Sequence, residues 1–433
     1  MQKLLFFSLI TIIFLSSCAE DSCESTFSYQ VYEPVYKTRD ELSADVKYAA
    51  NRPLESPGKI YYYNRYILIN ERNEGVHVID NSDIRNPQRI GFLEIEGNLD
   101  IALRGSYLYA DTWHSILVID ISDLENPEVT EVITDVKGHL FEESPGRFIV
   151  DYVETTATEV IDCSDSNAGE LWFIRGGQLW VDNLARFSSG PAVDPSLDIA
   201  LGGAPQADAG APEGVAGSMS RMALFGGHFY YVNEYEMHVF DVEDPSRPEQ
   251  LNRVYMEWGV ETIFPYQENL FVGANNGMHI YDNSDPSNPT YLSTFAHANA
   301  CDPVVVQGDI AYVTLRDGTE CENFINQLDV VDVSNLLEPQ LIASFPMHNP
   351  HGLSVRDEIL YLCEGDQGLK VFDITEVEEI GQNQIGGVKE YDAYDVISLS
   401  PELLLMIGED GFYQFGTDQP ARPDLLSSIR IGE

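Results

Sequence analysis

Six aspartates, each preceded by β-branched or aromatic residues, recur at a near-fixed interval. They stand in Val78-Ile79-Asp80, Val118-Ile119-Asp120, Val239-Phe240-Asp241, Ile280-Tyr281-Asp282, Val331-Asp332 and Val371-Phe372-Asp373. Successive spacings are 40, 121, 41, 50 and 41 residues, so all but the second lie near one period of about forty. A period of that length constrains the fold before any local motif does, because each repeat must bury its apolar face against a neighbour. Within the cycle that begins near Leu99, the runs Ile101-Ala102-Leu103, Tyr107-Leu108-Tyr109, Ile116 to Ile119 and Val129 to Ile133 are short, rich in Val, Ile and Tyr, and separated by turn residues. That is the pattern of strands and not helices. Four short antiparallel strands per cycle predict an all-β fold, a β-propeller of four-stranded antiparallel blades.

The 121-residue interval holds one intermediate, Val160-Ile161-Asp162, and then the tract Gly202 to Pro212, whose Gly, Ala and Pro cannot build a core. Residues 164–217 are therefore expected as an insertion on a third blade. Gly411-Phe412-Tyr413-Gln414-Phe415 marks a final cycle without its aspartate. The count is eight blades, with seven as the alternative, in one propeller domain over residues 58–433.

The repeated phrase, as in MHVFDVEDPSRPEQL from Met237 and MHIYDNSDPSNPTYL from Met278, resembles the LVIVD repeat family of exported bacterial and archaeal proteins. Six cycles carry the resemblance, over most of residues 58–390, and the third and eighth depart from it. It implies a β-propeller and an exported location. The family is defined by its repeat and not by a reaction, so no activity follows from it.

The chain opens with Lys3 and an apolar run over residues 4–15, about a dozen residues. That is too short to span a bilayer and is read as a signal peptide, residues 1–17. Leu15-Ser16-Ser17-Cys18 resembles the lipobox of bacterial lipoproteins, which makes Cys18 the lipidation site and the lipid the link to the membrane. Ala19-Glu20-Asp21 resembles the acidic export signal of surface lipoproteins in Bacteroidetes. The expected location is the bacterial outer membrane or cell surface, with residues 18–57 as tether and lead-in.

Lys and Arg number 24 against 71 Asp and Glu, a formal net charge of -47. A surface of that sign repels phosphate backbones, so nucleic acid is excluded as a partner. Of the six cysteines, Cys301 and Cys321 fall on one face of the same blade and are expected to form a disulfide, with Cys301 to Cys363 as the competing pair.

Aligned cycles open their inner strands on Lys59, Asp100, His139, Ser220, Glu261, Asp302, His351 and Asp395. All eight are polar, and together they are expected to ring one mouth of the channel. Such a ring could hold calcium or another divalent cation, or grip a polar ligand; the competing reading is that these side chains cap strand ends. Trp113 and Trp258 add aromatic surface on the same face. His348 and His351 form an HxxH without the intervening glutamate of the helical metalloprotease motif. The repeated Asp/Pro turns are read as structural and not as calcium loops. There is no GxSxG, phosphate loop or nucleotide fingerprint, which favours a non-enzymatic binding or scaffold protein for an extracellular ligand, glycan or protein. The alternative is a glycan-active hydrolase or lyase using ring carboxylates.

Overall fold

The computed structural model describes residues 24–38, 41–42, 45–50, 52–137, 141–162, 215–256, 259–297, 303–316 and 326–432. Cys18, His139, Trp258, Cys301, Asp302 and Cys321 lie outside the described residues, as do residues 164–214 of the expected insertion. Among the described residues the fold is all-β, in eight sheets, and the single helical element is a 3-10 turn at Val377–Gln382. No helix among them is long and apolar enough to cross a membrane.

The chain divides into two units, one built from residues 24–37 and 141–162, the other holding the remaining described residues. The larger unit contains seven of the sheets, each with a four-stranded antiparallel meander. In the blade over residues 101–133, Ile101–Arg104 turns at Gly105 (φ 62°) into Tyr107–Asp111, then come Ile116–Asp120 and the outer strand Glu128–Ile133. The first three strands are buried almost throughout, whereas the fourth alternates toward solvent. Strands covered on both faces by neighbouring blades read as continuous apolar runs, and only an outer strand needs to alternate.

Two devices recur from blade to blade. Every third-to-fourth strand pair carries a register shift, as between Ile280 and Tyr281 or Val371 and Phe372. Such a bulge adds right-handed twist where the blade widens. Each repeated aspartate then accepts the amide two residues on, with Ser82 to Asp80 at 2.9 Å, Ser122 to Asp120 at 2.8 Å, Ser284 to Asp282 at 2.8 Å, Ser334 to Asp332 at 2.8 Å and Thr375 to Asp373 at 2.9 Å. The repeated word is thus an Asx turn, and the neighbouring Ser or Thr holds these carboxyls below the usual range.

Inner strands pack side by side in the order Pro57–Tyr63, Ile101–Arg104, Met222–Phe225, Val260–Tyr266, Val304–Gln307, Leu353–Arg356 and Asp395–Ser400. The last sheet returns to the first through a shared core of Ile60, Ile67, Ile69, Ile397, Leu405 and Phe412. Asn81 and Gln414 exchange hydrogen bonds across that seam at 2.8 and 2.7 Å, and Leu54 bridges Ile431. The ring therefore closes with seven blades, the alternative count.

The eighth sheet comes from the third cycle and is not a meander. Phe141–Ser144 and Arg147–Asp162 form a hairpin, and Glu24–Thr38, expected within the tether, adds a third strand. Tyr36 donates to Glu143 at 2.8 Å, and the Arg147 guanidinium lies 3.5 Å over the Tyr36 ring. Val160-Ile161-Asp162, expected as a blade's third strand, instead ends a continuous 16-residue strand. Where other cycles place Asp, Asn or Gly turns, this one has Glu154-Thr155-Thr156-Ala157-Thr158-Glu159. Threonine favours extended backbone and nothing there turns the chain.

Candidate functional site

The inner strands run from the end where the aligned polar residues stand to the end carrying the first-to-second strand turns, and the two mouths of the channel differ. At the first, Lys59 donates to Asp100 at 2.6 Å with side chains only 5% and 3% exposed. Burial lowers the lysine pKa, and Asp100 opposes that effect. Asp100 also accepts the Arg221 amide at 2.7 Å, the Ile101 amide at 2.8 Å and the Ser220 hydroxyl at 3.1 Å. One carboxylate thus ties three blades together, and Lys59 stands where an external cation would neutralise it.

Part of this mouth is occupied by chain that the periodicity does not account for. Val215–Ala216 pairs antiparallel with the inner strand of the first blade, Val215 opposite Tyr62 and Ala216 opposite Tyr61. The chain therefore climbs inside the ring toward the polar end, where the Ser218 hydroxyl accepts the Leu353 amide at 2.9 Å and Ser220 meets Asp100. Ala216, Gly217, Ser218, Met219 and Ser220 are all buried. Asp395 is wholly buried and neither of its oxygens makes a hydrogen bond of good geometry; burial drives its pKa well up, with Lys59 and Ser218 opposing in part. His351 is buried against Tyr394, ring centroids 4.7 Å apart, its Nε2 has no partner, and burial holds its pKa well down. Glu261 remains half-buried on its inner strand.

Sequence reasoning located Lys59, Asp100, Ser220, Glu261, His351 and Asp395 at the heads of inner strands, and the structure puts them there. It brings Lys59, Asp100 and Ser220 into contact but spends them on one another. Trp113 is half-buried against Gly97, where a Cβ would come within 2.4 Å of the indole, so it packs a loop. His348 is exposed and 3.6 Å from Asp366, while His351 is buried, so the HxxH pair splits between solvent and core. Among the described residues no group of three or more His, Cys, Asp or Glu has an arrangement fit to hold a metal ion. Cys363 is a free, buried thiol whose pKa is raised by burial and by Asp395.

The second mouth was missed. A groove of about 920 Å³ opens there, running from the channel outward between the blades over residues 304–346 and 353–388. Tyr266, Val355 and Leu399 give it half-buried apolar surface, and Gln307, Arg356 and Asp357 give it polar groups. Cross-blade hydrogen bonds fix its walls: Gln307 Nε2 donates to the Asp357 carbonyl at 3.0 Å, the Gly308 amide to the Tyr266 hydroxyl at 2.7 Å, and Arg356 Nε to Ser398 Oγ at 2.9 Å. The available signal was the polar series Ser354, Arg356 and Ser398, which interrupts otherwise apolar inner strands near their far ends.

The LVIVD repeat is present in this chain, matched over residues 98–135, 267–296 and 299–346, which is less than half of it. No curated protein matches it in sequence. Among solved structures it is similar to the computationally designed Ika8 protein, 10% identical over 88% of this chain and 91% of that one, with a TM-score of 0.49. It is also similar to Hsv2 of Kluyveromyces lactis, 12% identical over 86% and 97%, TM-score 0.42. A third is a functionally unknown protein from Desulfotomaculum acetoxidans, 12% identical over 48% and 67%, TM-score 0.38.

Proposed function

We propose that this chain is a lipid-anchored, surface-exposed β-propeller that binds an extracellular ligand, glycan or protein without transforming it. The observation that supports this reading is the burial of Asp100 and Asp395 at the polar mouth. Asp100 is committed to Lys59, Ser220 and backbone amides, Asp395 is wholly buried, and neither presents a carboxylate to a substrate. Paired-carboxylate hydrolysis needs two acids facing one bond from accessible positions. The closed ring instead serves as a rigid hub, on which binding surfaces at the turn side are held.

Anchoring and exposure are tested together in cells. The native chain is expected in the membrane fraction and degraded by protease added to intact cells; Cys18→Ser is expected to leave the membrane fraction. A membrane-bound Cys18→Ser protein, or a native protein shielded from protease, would refute the anchored-surface reading.

A further inference from the structure

We infer that the groove at the turn-side mouth is a binding site for a neutral oligosaccharide. The inference rests on the binding-protein reading and names its ligand class. The volume, about 920 Å³, is at the upper end of the range for small-ligand sites. Its lining is mixed, which suits a ligand presenting both C–H faces and hydroxyls. The half-buried ring of Tyr266 is available for packing against an apolar sugar face, and its hydroxyl is already held by the Gly308 amide, so the ring is fixed in place. Asp357 and Glu358 stand exposed on the rim, with Thr375 beside them; carboxylates accept from pairs of vicinal hydroxyls.

Charge decides between classes of glycan. Two rim carboxylates face the groove with one cation, Arg356, whose guanidinium is bonded to both the hydroxyl and the carbonyl of Ser398. A chain of net charge -47 compounds the repulsion. Uronate or sulfated glycans are therefore disfavoured and neutral ones retained. The walls come from different blades locked by hydrogen bonds, so the site is formed before ligand arrives and little ordering cost is incurred.

The experiment is titration calorimetry of the full chain with cellohexaose and laminarihexaose as neutral probes and hexagalacturonate as the acidic one. At least one neutral probe is expected to bind and hexagalacturonate to bind about tenfold more weakly or not at all. Tyr266→Ala is expected to weaken neutral binding about tenfold, the loss of one aromatic contact. Asp357→Asn with Glu358→Gln is the second variant; Asp357 has φ 53°, a conformation asparagine also accepts, so the turn is retained. It too is expected to weaken neutral binding about tenfold while the melting temperature holds. Hexagalacturonate binding as tightly as the neutral probes, neutral binding indifferent to both variants, or no glycan binding at all would overturn the inference. So would binding that emerges only after residues 170–205 are deleted, which would assign the groove to the chain itself. Cell fractionation and protease exposure are independent of these outcomes, so failure here leaves the anchored-surface reading to stand or fall by its own test.

Discussion

The two ends of the propeller channel are built from the same seven inner strands and solve opposite problems. At the polar end Lys59, Asp100 and Ser220 bond to one another, and the climbing segment 216–220 lies buried beside them. At the turn end Tyr266, Val355 and Leu399 line a groove open to solvent. The difference teaches that charged residues concentrated at a mouth need not mark a site. Burying a charge is costly unless it is paired, so buried ionisable side chains such as Lys59 and Asp100 are as well explained by internal pairing as by a ligand. The less conspicuous end, where one cation and two acids stand among half-buried apolar groups, is the one that offers open volume.

This contrast is most sharply broken at Asp100. Replacing it by alanine strands a buried Lys59 and removes acceptors from Arg221, Ile101 and Ser220. Loss of one partner of a buried pair costs about 3–5 kcal/mol. Asp100→Ala is therefore expected to lower the urea midpoint by the largest margin of any change considered, and an unshifted midpoint would mean that the polar end is not held by this network.

A smaller effect, of opposite sign, is expected at Asp395. Its folded-state pKa is raised by burial, so its contribution to stability is fully present below the unfolded carboxylate pKa of about 4 and is lost as pH rises toward the folded value. The charged groups bearing on it are few: Lys59 opposes the shift, the Cys363 thiol is neutral, and Ser218 and the Val396 amide offer only partial compensation. Asp395→Asn cannot ionise. It is expected to melt higher than the native chain at about pH 7 and to converge with it near pH 3. Equal gains at both pH values would attribute the change to packing, and a loss at neutral pH would show that the ionised carboxylate is needed against Lys59.

How far the sequence disclosed this arrangement depends on which residues obey the repeat. Val78-Ile79-Asp80 and its relatives are periodic because every blade needs the same buried third strand and the same Asx turn, and so the fold was legible. Asp100 and Asp395 were legible in position, since each heads an inner strand, but not in state. Both meet serines, Ser220 and Ser218, which arrive from a segment with no counterpart in other cycles. The third cycle misled because Val160-Ile161-Asp162 repeats the word without the turn that must precede it. The groove was silent for a different reason: Tyr266, Gln307, Arg356 and Leu399 come from four cycles, one or two residues each, and no local window contains enough of them to stand out.

The turn-side mouth should also differ from the polar end in its tolerance of change. Arg356 is half-buried and joins its blade to the next through Ser398. Methionine keeps most of the apolar stem and gives up the guanidinium bonds, leaving acceptors that water in the open groove can reach. A hydrogen bond lost with its partner still solvated costs about 1 kcal/mol, well under the penalty for an orphaned buried charge. Arg356→Met is thus expected to shift the urea midpoint by less than half as much as Asp100→Ala. Measured side by side with an unchanged denaturant slope, the two variants rank the ends of the channel directly. Should Arg356→Met prove the more damaging, the turn-side mouth would be the structural hub, and the polar end would have to be reconsidered as the surface that is free to bind.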